Sequence, residues 1–121
     1  PRTVLLATEK AFAKDAVEKI EAVFKDANYT LKKLENYKSK DDLLTAVADV
    51  DAMIIRSDIV DSAVLDKASK LKLCVRAGAG YDNIDLKSCH AKEVVAMNTP
   101  GQNANAVAEL VFGMMLTSAR N

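Results

Sequence analysis

The chain has 121 residues, enough for one domain with a real core and too few for two. Half of the residues are hydrophobic and 28% are charged, an ordinary globular composition. Lysine plus arginine equal aspartate plus glutamate at 17 each, so no net field draws the chain to nucleic acid or to an anionic membrane.

No apolar run reaches the roughly 18 residues of a membrane span. Residues 1–10 lack the charged, apolar, small-residue order of a signal peptide. Cys74 and Cys89 form neither a C-x-x-C pair nor a zinc pattern, and Cys74 sits in an apolar run suited to a buried thiol. Free thiols without an export signal lead to the expectation of a reducing, cytoplasmic setting. Pro1 in place of a methionine fits a trimmed chain.

In chain order, residues 4–8 are a short apolar run suited to a buried parallel strand. Ala13, Val17, Ile20, Val23 and Phe24 recur at helical spacing, predicting a helix over 12–27. Residues 30–34 read as a half-exposed second strand. Ser39, with Asp42 three positions later, opens a helix through residue 50 as a capping-box variant. Residues 52–56 form the third strand. Asp61 or Ser62 caps a helix through residue 70. Residues 71–76 and 94–97 are the fourth and fifth strands, with a helix near 85–92 between them. A last helix spans about 103–120.

Five strands alternating with helices predict a parallel sheet covered on both faces. The size and the single alternating run favour an α/β, flavodoxin-like, doubly wound five-stranded parallel sheet of order 2-1-3-4-5. The break in organisation is expected at 99–102. Residues 1–100 then form one domain, and residues 101–121 a hinge and a crossing helix. That helix carries Ala104, Ala106, Val107, Ala108, Leu110, Val111, Phe112, Met114, Met115 and Leu116. Its apolar surface is wider than one core-facing stripe. Either it docks on its own sheet, or it meets a second domain or a second copy. The second reading is favoured, because a small domain offers no obvious place for it.

In open parallel sheets, ligands bind outside the carboxyl ends of the strands. Arg56 and Arg76 end neighbouring strands there, and a planar fork of donors suits carboxylate or phosphate. The alternative is a pair of surface salt bridges. Gly78-Ala79-Gly80 offers main-chain N–H groups to an anion, or is simply a tight turn. The run from Gly78 to Asn83 mimics a dinucleotide fingerprint, but its third glycine is Asn83 and the next helix starts too late. His90, the sole histidine, lies on a charged stretch with no carboxylate set to orient it. Neither cysteine has a histidine partner, so no catalytic residue and no metal site is expected. A phosphate-receiving signalling domain would share the size and strand order. It would need paired acids after strand one and an aspartate ending strand three, where this chain has Glu9 alone and Arg56.

Taken together, Arg76-Ala77-Gly78-Ala79-Gly80-Tyr81-Asp82-Asn83-Ile84-Asp85, Asn98-Thr99-Pro100-Gly101-Gln102-Asn103 and Ala108-Glu109-Leu110 carry a resemblance. Over essentially its whole length the chain resembles the N-terminal substrate domain of NAD-dependent D-2-hydroxyacid dehydrogenases. Within them it is most similar to the branch that oxidises 3-phosphoglycerate to 3-phosphohydroxypyruvate, the entry to serine biosynthesis, and Arg56-Ser57 also fits that branch.

The resemblance implies an enzyme of two domains with the reaction in the cleft between them. Arg56, Ser57 and Arg76, with the backbone of Ala77, Gly78 and Gly80, would hold the substrate. Ala79 and Asn98 would face the cofactor, although Ala79 stands where many relatives have threonine. The 103–120 helix would cross to the cofactor domain and join a homo-oligomer. The family's catalytic arginine, glutamate and histidine and its NAD fingerprint would belong to a region after Asn121, and His90 does not match that histidine. The 121-residue chain is therefore expected to be inactive alone. The competing expectation is a stand-alone module that binds a small acid and dimerises without catalysis.

Overall fold

Strands buried on both faces need apolar side chains at every position, and the chain supplies three of them. A computed structural model describes residues 2–8, 14–26, 28–78, 80–99, 107–111 and 113–114. The strands are β1 (Thr3–Thr8), β2 (Thr30–Glu35), β3 (Ala52–Ile55), β4 (Leu73–Arg76) and β5 (Val95–Asn98). They pair in parallel in the order β2-β1-β3-β4-β5, as the alternating pattern predicts. The helices are α1 (Lys14–Asp26), α2 (Lys40–Ala46), α3 (Ser62–Lys67) and α4 (Leu86–Ala91).

Successive side chains of a strand point to opposite faces, and two separate cores result. Leu5, Ala7, Met53, Ile55 and Cys74 pack with Leu43, Val47, Val64, Leu65 and Cys89 from the α2, α3 and α4 side. Val4, Leu6, Ala52, Ile54, Leu73 and Val75 pack on the other face with Val17, Ile20 and Phe24 of α1. β2 lies at one edge of the sheet. Its sequence TLKKLE leaves Thr30, Lys32 and Lys33 exposed, and charged edges discourage pairing with further strands.

The second face also takes Val107, Ala108 and Val111, which are helical and buried in the same core as α1. This corrects the expectation that the last helix has no place in its own domain. With α2, α3 and α4 on one face, α1 alone cannot cover the other, and these residues complete it. Leu110 and Met114 are only partly buried against that core. The rest of the expected 103–120 helix lies outside the described residues, as do Glu9, Lys10, Ala79 and the 100–102 turn.

Several boundaries differ from the sequence expectation for local reasons. Ser39 caps α2 by accepting from the Asp41 N–H, while the Asp42 N–H donates to the Ser39 carbonyl. The helix becomes a tighter turn at Val47–Asp49 before the chain enters β3. Asp61, not Ser62, caps α3, and α3 stops at Lys67 because Ala68 leaves helical conformation. Leu71 is buried, but its N–H donates to the Ala68 carbonyl rather than to the sheet, and β4 starts at Leu73. Among the described residues no helix is long and apolar enough to cross a membrane, and no group of acids, cysteines and histidine could hold a metal ion.

The Asp61 cap yields a first prediction. Its carboxylate accepts from the Val64 N–H at 3.2 Å and from the Lys40 ammonium. The Lys40 hydrogen bond, foremost, holds its carboxyl below the ordinary aspartate value of 3.8. A lowered folded value means the contribution is present above that ordinary value and is lost as pH falls through the folded one. Asp61→Ala is expected to lower stability by about 1 kcal/mol near neutrality. In urea unfolding the gap between variant and parent should close in acid; a gap that stays constant down to about pH 3 contradicts the assignment.

Candidate functional site

β3, β4 and β5 end at one edge of the sheet in adjacent register. Ile55 pairs with Arg76, and Arg76 pairs with Asn98. Arg56, Arg76 and Asn98 are therefore neighbours there, each half-buried, with Ser57 exposed beside them. The Arg76 Nε donates to the Arg56 carbonyl at 3.1 Å, so the two arginines are fixed relative to each other through main chain as well as strand register.

The loops that follow β3 and β4 are laced together. Val60 and Ile84 form a parallel bridge, with the Val60 N–H donating to the Asn83 carbonyl and the Asp85 N–H to the Val60 carbonyl, both at 2.9 Å. The Asn83 Nδ2 donates to the carbonyls of Arg56, at 3.1 Å, and Asp58, at 2.6 Å. Asp58 is buried, at 1% exposure. Its Oδ2 accepts from the Tyr37 hydroxyl and its Oδ1 from the Arg56 N–H at 3.3 Å. The Asn83 Oδ1 and the Thr99 Oγ1 are buried without a hydrogen-bond partner.

The start of the glycine turn is tied down by main-chain hydrogen bonds. The Ala77 N–H donates to the Ile55 carbonyl at 2.8 Å and the Gly78 N–H to the Arg76 carbonyl at 3.0 Å. Both donors are thus bonded within the chain in this conformation. The glycines lie close to the Arg76 side chain. A Cβ on Gly80 would stand 3.3 Å from the Arg76 Nη1, and one on Gly78 would stand 3.9 Å from its Nε. Gly80 has φ +86°, a left-handed conformation that side chains disfavour.

The structure brings Arg56, Ser57, Arg76, Gly78, Gly80 and Asn98 to one mouth, with Ala77 buried beneath it. Tyr37, Asp58 and Asn83 were not singled out as site residues. The available signal was an acid directly after a buried strand, where a carboxylate must find donors. His90 is exposed in the last turn of α4, which runs back toward the amino ends of the strands and away from the mouth. Burial pushes the Cys74 thiol up, and burial likewise raises Cys89. Neither is poised as a nucleophile. The segment resembling a dinucleotide fingerprint does not fit a pyrophosphate: α4 begins at Leu86, and Asp85 caps it by accepting from the Ser88 N–H at 3.1 Å. Among the described residues the mouth holds cations and hydrogen-bond donors, a set chemically suited to an anion.

Comparison with known proteins agrees with this architecture. Residues 5–119 match the family model described as "D-isomer specific 2-hydroxyacid dehydrogenase, catalytic domain". The D-3-phosphoglycerate dehydrogenase of Methanocaldococcus jannaschii is 42% identical over 84 residues, covering 69% of this chain and 16% of that protein. The hydroxypyruvate reductase of Thermotoga maritima is 40% identical over 83 residues, covering 68% of this chain and 27% of that protein. The solved NAD+-bound 3-phosphoglycerate dehydrogenase of Entamoeba histolytica superposes with a TM-score of 0.82 at 45% identity, over 94% of this chain and 38% of that one. The chain thus spans well under half the length of each of these relatives. A family match over nearly the whole sequence, on the same parallel fold, places the chain in the D-isomer specific 2-hydroxyacid dehydrogenase family.

Proposed function

We propose that this chain is the substrate-binding part of a dehydrogenase that oxidises 3-phosphoglycerate to 3-phosphohydroxypyruvate. The observation that carries the reading is the pair Arg56 and Arg76, half-buried at adjacent strand ends and joined by the Arg76 Nε bond to the Arg56 carbonyl. Such a pair suits the carboxylate or the phosphate of a small doubly anionic acid. Ser57 adds a hydroxyl at the rim, and the exposed Gly80 lies beside the Arg76 guanidinium. The Entamoeba relative, 45% identical, is solved with NAD+ bound. NAD is accordingly the cofactor of the longer enzyme.

The described residues offer no strand, glycine turn and helix start suited to a dinucleotide, so NAD is assigned mainly to a further domain. Asn98 and Ala79 are assigned to the side of the mouth that faces it. The oxidation removes a hydride from C2 and a proton from its hydroxyl, and no residue described here is assigned either transfer. The last helix is assigned a second role as a crossing and homo-oligomer contact. In support, Leu110 and Met114 remain only partly buried while Val107, Ala108 and Val111 are used by the chain's own core.

Calorimetric titration of the chain with 3-phosphoglycerate tests the reading. Binding is expected, weakening with added salt, and Arg56→Ala or Arg76→Ala should each reduce affinity at least about tenfold. Unchanged affinity in both variants would sink the assignment. Gly80→Ala should cost roughly 1–3 kcal/mol of stability through backbone strain. It should also weaken binding by displacing the Arg76 guanidinium, and a variant that melts and binds like the parent would show that the close approach is immaterial. The chain alone, mixed with 3-phosphoglycerate and NAD, is expected to form no NADH, and turnover would overturn the division of labour.

A further inference from the structure

We infer that Tyr37 and Asp58 are positioning residues for Arg56, a role that rests on the substrate-binding reading of the mouth. Asp58 is the one acid among the three residues that leave β3 at the carboxyl edge, and it is turned inward rather than toward solvent. A carboxylate is costly to bury unless donors meet both of its oxygens. Here the donors are the Tyr37 hydroxyl, from the connection between β2 and α2, and the main-chain N–H of Arg56.

Through this one side chain a distant loop grips the backbone of Arg56 at the strand end beside Arg76. The opposite side of the same turn is gripped by Asn83, which holds the Arg56 and Asp58 carbonyls, and by the Arg76 Nε. The Arg56 peptide groups are thus held from both sides, at N–H and at C=O. A turn restrained in this way gives up less freedom when it takes hold of a ligand, and affinity rises accordingly. Tyr37 and Asp58 act through Arg56 and are given no contact with the substrate.

Two readouts separate positioning from mere stabilisation. In the ligand-free chain, Tyr37→Phe should raise hydrogen exchange of the Arg56 amide by about tenfold or more, while the Ile54 and Val75 amides inside the sheet keep their protection. An unchanged Arg56 rate overturns the inference whatever the chain binds. In titrations with 3-phosphoglycerate, Tyr37→Phe should weaken binding about fivefold to tenfold. Combined with Arg56→Ala it should add almost nothing, since both changes act on one group.

Fully additive losses, or a loss that follows melting temperature alone, also overturn it. Asp58→Asn keeps an acceptor for the Arg56 N–H and a polar group facing Tyr37, so it should retain most of the affinity that Asp58→Ala loses; equal losses in the two count against positioning. A parent chain that fails to bind 3-phosphoglycerate, with Arg56 exchange still responding to Tyr37→Phe, would refute the substrate while leaving the positioning contact in place.

Discussion

Side chains on β1, β3 and β4 have nowhere to go but into one of two apolar faces, and the rest of the molecule follows from having to cover both. Val4 and Leu6 point one way, Leu5 and Ala7 the other; Ala52 and Ile54 oppose Met53 and Ile55 in the same manner. A face left open would expose a contiguous apolar surface. Three short helices close one side. The other side is closed by the long α1 and by the helical residues around Val107, Ala108 and Val111. The constraint therefore reaches past the fifth strand and draws residues 107–111 back onto the sheet.

The same parallel sheet fixes where chemistry can gather. All five strands point one way, so their carboxyl ends, and the loops leaving them, collect at one edge. Parallel register places Ile55 beside Arg76 and Arg76 beside Asn98, and one carbonyl, that of Arg56, takes donors from both Arg76 and Asn83. Loops are ordinarily the variable part of a fold, yet here the turn after β3 is held by main-chain and side-chain bonds from two other connections. Those bonds fix the backbone of Arg56 beside Arg76 at the strand ends.

Among the described residues the mouth holds cations and hydrogen-bond donors, while the buried thiols and His90 lie elsewhere. The chain belongs to the D-isomer specific 2-hydroxyacid dehydrogenase family and spans a small share of each relative. The last helix is used at least in part by the chain's own core. One stripe serves the chain's own core, and Leu110 and Met114 lie at the margin of that stripe.

Alternation and spacing alone determined the element order, the parallel sheet and its 2-1-3-4-5 sequence of strands, because apolar runs between amphipathic helices admit few other arrangements. They also placed Arg56 and Arg76 at neighbouring strand ends, since position after a buried strand is a local property. Three things were decided only by tertiary structure. The Ala77 N–H is bonded to the Ile55 carbonyl that the sheet brings near, and Gly80 lies against the Arg76 guanidinium. The last helix finds its place beside α1, which no count of apolar residues can show, because vacancy on a sheet face depends on where every other helix lies. Asp58 and Tyr37, 21 positions apart, meet only when the loops after β2 and β3 converge. Sequence carries the chemistry of each residue, but contact between distant residues exists only once the sheet has set its register.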